Sequence, residues 1–219
     1  MYEYNIKYKS NMWEIIELGV INFEDAYKLQ IKFHEQVKQG DTNKLLLLQH
    51  HPVITLGRRT ENSHLLISKA ELAKKGVDLI KTNRGGSATY HGYGQLVGYI
   101  ICKVNKFKGI HEVVSNILQV VNSTINEFFI ESWVDTDNPG IWVGNELPRK
   151  IAAVGMHNKD GVSMHGFAVN INMKLDGFSL IIPCGLNLPV TTVSIEAGKN
   201  ISVEEFKDKL ITAFLQIFE

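Results

Sequence analysis

Cysteine, net charge and long apolar runs are all scarce in this 219-residue chain. Its two cysteines fit a reducing compartment, in which thiols stay free for chemistry. Lysine plus arginine equals aspartate plus glutamate at 23 each, so no overall field draws the protein to nucleic acid or to a membrane surface. Apolar stretches such as Leu45 to Leu48 are too short to cross a bilayer, and residues 1–20 lack the apolar core of a signal peptide. We therefore expect a cytoplasmic protein with neither a nucleic-acid nor a membrane partner.

The rest of the composition is that of an ordinary globular protein. Hydrophobic residues make up 44% of the chain and charged residues 21%. The length is sufficient for one substantial hydrophobic core. No repeat, low-complexity segment or linker-like run divides the sequence, so we expect a single domain over residues 1–219.

Hydrophobic periodicity predicts three long helices. The first covers 23–39 and ends at Gly40, and the second covers about 111–129. The third follows Ser202, which repeats a capping pattern already present at Ser68. That earlier pattern predicts a short helix ending near residue 76. The residues expected on or near one side of the first helix are Phe23, Ala26, Tyr27, Ile31 and Phe33 or His34.

Short apolar or alternating runs predict strands between these helices. The predicted strands cover 45–49, 78–82, 95–103, 131–135, 140–143, 150–157 and 163–172. Helices and strands are intermixed without strict alternation, and strands are the more numerous. The sequence therefore predicts an α+β fold, built on a mixed sheet flanked by helices.

One of the two cysteines, Cys184, lies between a proline and a glycine. Proline fixes its own φ and glycine permits backbone geometry that other residues resist, so this sulfur is expected on a defined turn. A thiol presented in this way can serve as a nucleophile. Taken alone, a cysteine is more often a small apolar residue in the core. Cys102, within an alternating apolar run, fits that second description.

A glycine-rich stretch from Arg84 to Gln95 indicates a ligand site. It contains four glycines interleaved with arginine, threonine, tyrosine and histidine, which is unlike the interior of a regular strand or helix. Glycine lets the backbone approach a ligand closely. The spacing fits neither a phosphate-binding P-loop nor a dinucleotide fingerprint. The pattern alone is equally compatible with a glycine-rich hairpin.

Two further stretches carry groups that can handle protons. Lys150 begins a run of small and apolar residues, where burial or a neighbouring thiolate can shift its proton equilibrium. His165 lies in a strand of alternating character. Taken singly, Lys150 is most often a solvated lysine at the start of a strand. His165, taken singly, is most often a hydrogen-bonded structural histidine.

Together and in this order, five stretches resemble the lipoyl(octanoyl) transferase family. The first, over 47–58, is Leu-Leu-Gln-His-His-Pro-Val-Ile-Thr-Leu-Gly-Arg. The second is Arg-Gly-Gly, two variable residues, Thr-Tyr-His-Gly and then Gly-Gln, over 84–95. Lys-Ile-Ala-x-x-Gly follows at 150–155, His-Gly-x-Ala-x-Asn at 165–170 and Pro-Cys-Gly at 183–185. Two positions depart from the family pattern, because His51 and Tyr93 stand where proline is usual.

The resemblance implies a fold like that of biotin and lipoate protein ligases, and an acyl transfer that needs no metal or cofactor. Family members move an octanoyl group from acyl carrier protein to a lysine of a lipoyl-domain protein. Cys184 would form the acyl thioester, and Lys150 would be its partner in a Cys–Lys dyad. A thiol with pKa about 8.5 is only a few per cent ionised at neutral pH, so a partner that lowers the pKa to about 7 ionises half of it. We expect the protein to act as a monomer.

The same resemblance implies the residues of the acyl site. Small side chains suit such a site, because an eight-carbon chain needs a slot with room in it. His50 and His165 are expected in supporting positions. The residues implied for substrate contact are Arg84, Gly85, Gly86, Ser87, Ala88, Thr89, Tyr90 and His91 on one wall, and Ala153, Val154, Gly155, Gly166, Phe167 and Ala168 on the other.

Two other functions remain open at the level of sequence. A lipoate protein ligase or amidotransferase of the same fold superfamily would use ATP or a different acyl donor. A ligase needs no cysteine nucleophile, so the Pro-Cys-Gly motif favours transfer from a thioester. The second alternative is a non-catalytic protein that binds acyl groups or lipoyl domains, in which Cys184 would be dispensable.

Overall fold

The computed structural model describes residues 4–182 and 189–219, and Cys184 lies outside these residues. Five α-helices occur in the described part of the chain: α1 Phe23–Lys38, α2 Lys69–Lys74, α3 Ile110–Asn126, α4 Val193–Ala197 and α5 Val203–Phe218. None of the helices in the described ranges has the length and apolar character needed to span a bilayer.

A mixed eight-stranded sheet forms the centre of the molecule. In spatial order its strands are β1 Asn5–Lys9, β2 Trp13–Ile21, β3 Asn43–His50, β7 Gln95–Ile101, β11 Val162–Asn170, β10 Arg149–Lys159, β9 Gly140–Val143 and β8 Ser132–Asp135. Only β2 and β3 pair in parallel among the described neighbours, and the other pairs are antiparallel. The helical connection through α1 makes that parallel pairing possible.

Alternation along the strands divides the core between the two faces of this sheet. In β3, Leu45 and Leu47 pack with α3 and α5, whereas Leu46 and Leu48 pack with α1. A continuous apolar run is therefore expected here, because both faces of the strand are covered. On α5, the buried face contains Phe206, Leu210, Phe214 and Phe218, as the helical spacing predicts.

A second, three-stranded sheet lies beside the first. Its order is β5 Asp78–Lys81, β4 Val53–Leu56 and β6 Ala88–His91. Helix α2 leads into it and begins with the predicted capping box, in which Ser68 and Glu71 bond each other's backbone N–H groups. This small sheet carries both the first motif and the glycine-rich stretch, so it brings them next to each other.

The predicted α+β class is confirmed, and the predicted helices and strands are present with ends shifted by a few residues. Strands β1, β2, β4 and β6 are additional to those predicted. β6 is a correction, because Ala88 to His91 pair with β4 although they lie in the glycine-rich stretch. Ile31 is a second correction, since it is 46% exposed and the buried face of α1 passes through Leu29 and Val37.

Candidate active site

The central strands β7, β11 and β10 form the floor of an elongated cavity. Across these strands Val97, Ala168 and Ala153 form one row, and Tyr99, Gly166 and Gly155 form the next. Only small side chains occur on β11 and β10 in these rows, so a slot is left above them. The described residues around the slot are Phe23, Arg84, Gly86, Ser87, Ala88, Thr89, His91, Val97, Tyr99, Ala153, Val154, Gly155, His165, Gly166, Phe167 and Ala168.

The glycine-rich stretch forms the roof of this slot. Backbone N–H groups of residues 57–59 donate to carbonyl oxygens of Ser87, Arg84 and Gly86 at 3.0–3.3 Å, which extends the β4–β6 pairing. The N–H of Gly85 donates to the carbonyl of Met156 on β10 at 2.9 Å and so fixes the roof to the floor. The close approach requires glycine: a Cβ on residue 155 would lie 2.7 Å from the carbonyl oxygen of Gly85.

Two aromatic residues line the slot on its β7 side. Phe23, the first residue of α1, and Tyr99 both line it. The hydroxyl of Tyr99 donates to Nε2 of His50 at 2.6 Å, and Nδ1 of His50 donates to the carbonyl of Ile21 at 2.9 Å. His50 is fully buried behind Tyr99, so it supports this side of the slot without lining it.

Three buried histidines around the slot are uncharged at neutral pH. Burial lowers the pKa of His50 to about 4 and, with help from neighbouring positive groups, lowers the pKa of His91 and of His165 to about 3. The backbone N–H of His165 donates to Gln30 Oε1 at 2.9 Å. The ring Nε2 of His165 lies 2.6 Å from Asn83 Oδ1. These rings therefore act as neutral hydrogen-bonding groups.

Lys150 is buried near the β10 side of the slot, in a neighbouring cavity. Its side chain is 7% exposed in β10, and Nζ lies 4.6 Å from the ring centroid of Trp142 on β9. Its positive charge also helps to lower the pKa of Asp135, after the larger effect of hydrogen bonds within the β8–β9 turn. Strand β10 therefore holds the ammonium group of Lys150 beneath the surface.

A second cavity, lined in part by Lys150, adjoins the slot. It is lined by Arg59, His64, Gly86, Ser87, Asp137, Asn138, Pro139, Lys150 and Val154, and it shares residues 86, 87 and 154 with the slot. Ser87 bonds His64 Nδ1 at 2.7 Å at this junction.

The described residues on both sides of 183–188 are hydrogen-bonded beside this cavity. The N–H of Ile182 donates to the carbonyl of His64 at 3.0 Å, and the carbonyl of Pro189 accepts from the N–H of Lys150 at 2.9 Å. Val190 then forms a parallel bridge with Lys150. Both ends of the chain segment that contains Cys184 are thus attached to residues of the Lys150 cavity.

Cys102 is a core thiol. Its side chain is fully buried and contacts Ser163 Oγ at 3.3 Å. Burial raises the pKa of this thiol to about 12, so it is protonated at neutral pH. Cys102 therefore has the properties of a structural residue and not those of a nucleophile.

Comparison with known proteins identifies the family. Residues 22–215 match the model of the lipoyl protein ligase A/B catalytic domain. The octanoyltransferase of Dictyoglomus thermophilum is 42% identical over 200 residues, which are 90% of this chain and 84% of the relative. That of Koribacter versatilis is 38% identical over 215 residues, 95% of this chain and 85% of the relative. The chain belongs to the octanoyltransferase family.

Comparison with a solved structure supports the fold independently of sequence identity. A protein of Thermoplasma acidophilum, described as a lipoate protein ligase and solved with bound lipoic acid, superimposes with a TM-score of 0.77. The match covers 95% of this chain and 86% of that one at 16% identity. The ligase-like fold expected from the family resemblance is therefore confirmed, and the enzyme is an acyltransferase by family.

Most of the residues that the octanoyltransferase motifs indicate meet around one slot. Two of them lie elsewhere. Tyr90 alternates with Thr89 and His91 along β6, so its ring points to the other face and packs on Phe178. Gly85 contributes the backbone contact to Met156 described above. The part of these residues in substrate contact, and that of Cys184 and Lys150 in catalysis, stay predictions.

Several residues at the site were not indicated by the motifs. Val97 and Tyr99 could have been found from sequence, because they follow Gln95 at the two-residue spacing of one strand face. Phe23 gave no such signal, since its place at the slot depends on how α1 packs on the sheet. Trp142 likewise lies next to Lys150 only because β9 pairs with β10.

The described residues contain no metal-binding cluster. Within 4–182 and 189–219, no group of three or more histidine, cysteine, aspartate or glutamate side chains is arranged to hold a metal ion. His50 and His64 are each hydrogen-bonded to other groups.

Proposed function

We propose that this octanoyltransferase takes an octanoyl group from octanoyl-acyl carrier protein and transfers it to the acceptor lysine of lipoyl-domain proteins. In the proposed reaction Cys184 carries the octanoyl group as a thioester, and Lys150 is its partner in a Cys–Lys dyad. The observation that carries the proposal is that the slot and the Lys150 cavity share the lining residues 86, 87 and 154, and that the residues flanking 183–188 are bonded beside the Lys150 cavity.

The dimensions of the slot support an octanoyl substrate. Its floor extends from β10 across β11 to β7, which is two inter-strand spacings or roughly 9.5 Å. This length is comparable to that of an extended eight-carbon chain. Phe23 and Tyr99 line the slot on the β7 side. Each buried methylene contributes about 0.8 kcal/mol, so a chain that fits this length is favoured roughly fourfold over one shorter by a single carbon.

The first half of the reaction is thioester exchange. The Cys184 thiolate attacks the carbonyl carbon of the octanoyl thioester, and the carrier's sulfur leaves with the electron pair of the carbon–sulfur bond. The leaving sulfur takes a proton from the Lys150 ammonium, which is left neutral. An ammonium group at Lys150 stabilises the attacking thiolate by charge. No net oxidation or reduction occurs, so neither a redox cofactor nor ATP is required.

The second half transfers the acyl group to an amine. The acceptor lysine attacks the Cys184 thioester in its neutral form, a carbon–nitrogen bond forms, and the Cys184 sulfur leaves as a thiolate. The amine loses one proton in this step, and in the proposed scheme the Lys150 left neutral by the first half accepts it. The three histidines near the slot are uncharged, so we assign none of them as the principal base.

The proposal treats residues 1–219 as one catalytic domain that acts as a monomer in the cytoplasm, where acyl carrier protein and lipoyl-domain acceptors are its partners. The support is that both layers of the core share the eight-stranded sheet. Light scattering at the working concentration should give the mass of one chain, and a stable dimer would contradict this part.

One experiment separates transfer from ligation. The protein is incubated with a lipoyl-domain acceptor and either octanoyl-acyl carrier protein without ATP, or free octanoate with ATP. We expect octanoylated acceptor in the first mixture and none in the second. Product in the second mixture alone would show a ligase and overturn the proposal.

A second experiment locates the intermediate. Incubation with octanoyl-acyl carrier protein and no acceptor should add one octanoyl group to the peptide that contains Cys184, and hydroxylamine should remove it. Cys184→Ala should abolish the adduct, whereas Cys102→Ala should retain it, because Cys102 is a buried and protonated thiol. An adduct on Cys102, or full transfer by Cys184→Ala, would refute the assignment.

A further inference from the structure

A chain of side-chain hydrogen bonds passes through Gln95, a motif residue that has no part in the proposed reaction. Gln95 is 1% exposed at the start of β7. Its Nε2 bonds the carbonyl of Tyr90 at 3.1 Å and Asn170 Oδ1 at 2.9 Å. Its Oε1 lies 2.7 Å from His91 Nδ1. Asn170, the last residue of β11 and also a motif residue, bonds the carbonyl of Thr191 through Nδ2 at 3.0 Å.

The two carbonyl groups fix the direction of every bond in this chain. The carbonyls of Tyr90 and Thr191 can only accept, so the NH₂ groups of Gln95 and Asn170 must face them. Asn170 Oδ1 then accepts from Gln95, and Gln95 Oε1 is left as an acceptor. The proton between Gln95 and His91 therefore belongs to Nδ1 of His91.

This arrangement leaves Nε2 of His91 without a proton. The ring is neutral, so a proton on Nδ1 makes Nε2 an acceptor. Thr55 Oγ1 lies 3.5 Å away and itself accepts from Arg84 Nε at 3.1 Å and Nη2 at 3.0 Å. Because both arginine groups only donate, the hydroxyl proton of Thr55 is directed toward His91. The chain of bonds thus continues to the arginine in the roof of the slot.

The other end of the chain lies against Lys150. The carbonyl of Thr191 accepts from Asn170, while its N–H donates to the carbonyl of Lys150 at 3.0 Å. One amide side chain therefore ties the end of β11 to the strand segment beside the buried lysine. Gln95, Asn170, His91, Thr55 and Thr191 are buried, so water does not compete for the bonds among them, whereas Arg84 is half-buried.

We propose that Gln95 and Asn170 are positioning residues, which set the orientation of His91, Thr55 and Arg84 in the slot roof relative to the backbone that holds Lys150. The inference rests on the proposed function, because that function assigns the slot to the octanoyl group and Lys150 to catalysis. Neither residue touches the reacting atoms in this scheme. Each acts through the groups that it orients.

The first test uses a matched pair of substitutions. Asn170→Asp retains the size of the side chain but removes the N–H that bonds Thr191. Asn172→Asp removes a similar bond, from Nδ2 to the carbonyl of Ile201 at 3.0 Å, at an exposed position two residues away. We expect kcat/KM for octanoyl transfer to fall about 10-fold to 100-fold in Asn170→Asp. In Asn172→Asp it should stay within about twofold of the native value.

The second test reads the histidine directly and needs no activity. Nitrogen-15 NMR of the native protein should show the His91 ring protonated at Nδ1 and bare at Nε2. Gln95→Glu keeps an acceptor for that proton, so the Nδ1–H form should persist. Gln95→Leu removes the acceptor, so the ring should change toward the Nε2–H form. A native ring protonated at Nε2, or an unchanged ring in Gln95→Leu, would overturn the inference.

The two tests distinguish failure of the inference from failure of the proposed function. If the native protein forms no octanoyl adduct, the proposed function fails, while the NMR result still decides the orientation of His91. If the native protein transfers the octanoyl group and Asn170→Asp behaves like Asn172→Asp, the positioning assignment fails and the proposed function stands.

Discussion

Lys150 and Trp142 are register partners across the β9–β10 pair, and the lysine Nζ lies 4.6 Å from the centroid of the indole ring. Both side chains are buried, with 7% and 3% of their surfaces exposed. An ammonium over a desolvated aromatic face is stabilised by up to about 2 kcal/mol. The ring therefore helps to hold the buried cation in the cavity beside the slot.

Replacement of Trp142 by leucine should weaken this hold on Lys150. We expect the rate of alkylation of Cys184 at neutral pH, and the rate of adduct formation, to fall by up to about 10-fold, because the cation that favours the thiolate is less well placed. Stopped-flow alkylation of the native protein and the variant checks this. Trp133→Leu is the matched control, since Trp133 is the cross-strand neighbour of Trp142 on β8 and lines a different cavity. Equal rates in the two variants would contradict the prediction.

Phe23 should limit the length of the acyl chain. Phe23→Ala opens the β7 side of the slot, so the preference for octanoyl over decanoyl carrier protein should decrease, by roughly fourfold for each methylene newly accommodated. Competition between the two donors, followed by mass spectrometry of the acceptor, gives the ratio. Ile31→Ala on the same helix is the control, because Ile31 is 46% exposed and distant from the buried face. An unchanged ratio in Phe23→Ala would place the end of the slot elsewhere.

The buried histidines should make the protein less stable in mild acid. Burial lowers the pKa of His50 to about 4, whereas in the unfolded chain it is about 6.5. Between these values the unfolded state binds more protons, so the free energy of unfolding rises with pH through this window and is lost as the pH falls. Each such group contributes a slope of up to about 1.4 kcal/mol per pH unit.

Urea unfolding at several pH values from 7 to 4.5 measures this slope. His50→Gln should reduce it, since glutamine does not take up a proton in this range. A slope that is the same in His50→Gln as in the native protein would show that His50 does not resist protonation.

His51 and Tyr93, the two departures from the family pattern, bond each other. His51 Nδ1 lies 2.7 Å from the hydroxyl of Tyr93, and the rings meet edge to face with centroids 5.6 Å apart. Tyr93 is 55% exposed, so the pair should contribute only about 0.5–1 kcal/mol. A double-mutant cycle with His51→Ala and Tyr93→Phe should give that coupling in unfolding experiments, with octanoyl transfer unaffected. A coupling of zero would show that the contact does not stabilise the fold.

Helices and covered strands were predictable because their signals are local. Phe206 to Phe218 repeat at helical spacing, and the Ser68–Glu71 capping box lies within four residues. β6 was missed for a non-local reason. Its residues become a strand through pairing with β4, which lies more than thirty residues earlier in the chain.

The site was predictable in part for the same reason. The motifs indicated Lys150 and the small residues of the slot, since the residue types themselves carry the chemistry. They did not separate Tyr90 from Thr89, because the face to which each points depends on the pairing of β6. They also gave no indication that burial would leave His91 and His165 uncharged.

By itself, the order of residues determined the family and the elements that local spacing encodes. Only the tertiary structure decided which groups meet. It placed Trp142 against Lys150 and lined the slot with Phe23 and Tyr99. It also linked Gln95 to Thr191 through Asn170. The physical reason is that pairing between distant strands brings side chains together, and burial between them then sets their charge. Neither effect is contained in any short stretch of sequence.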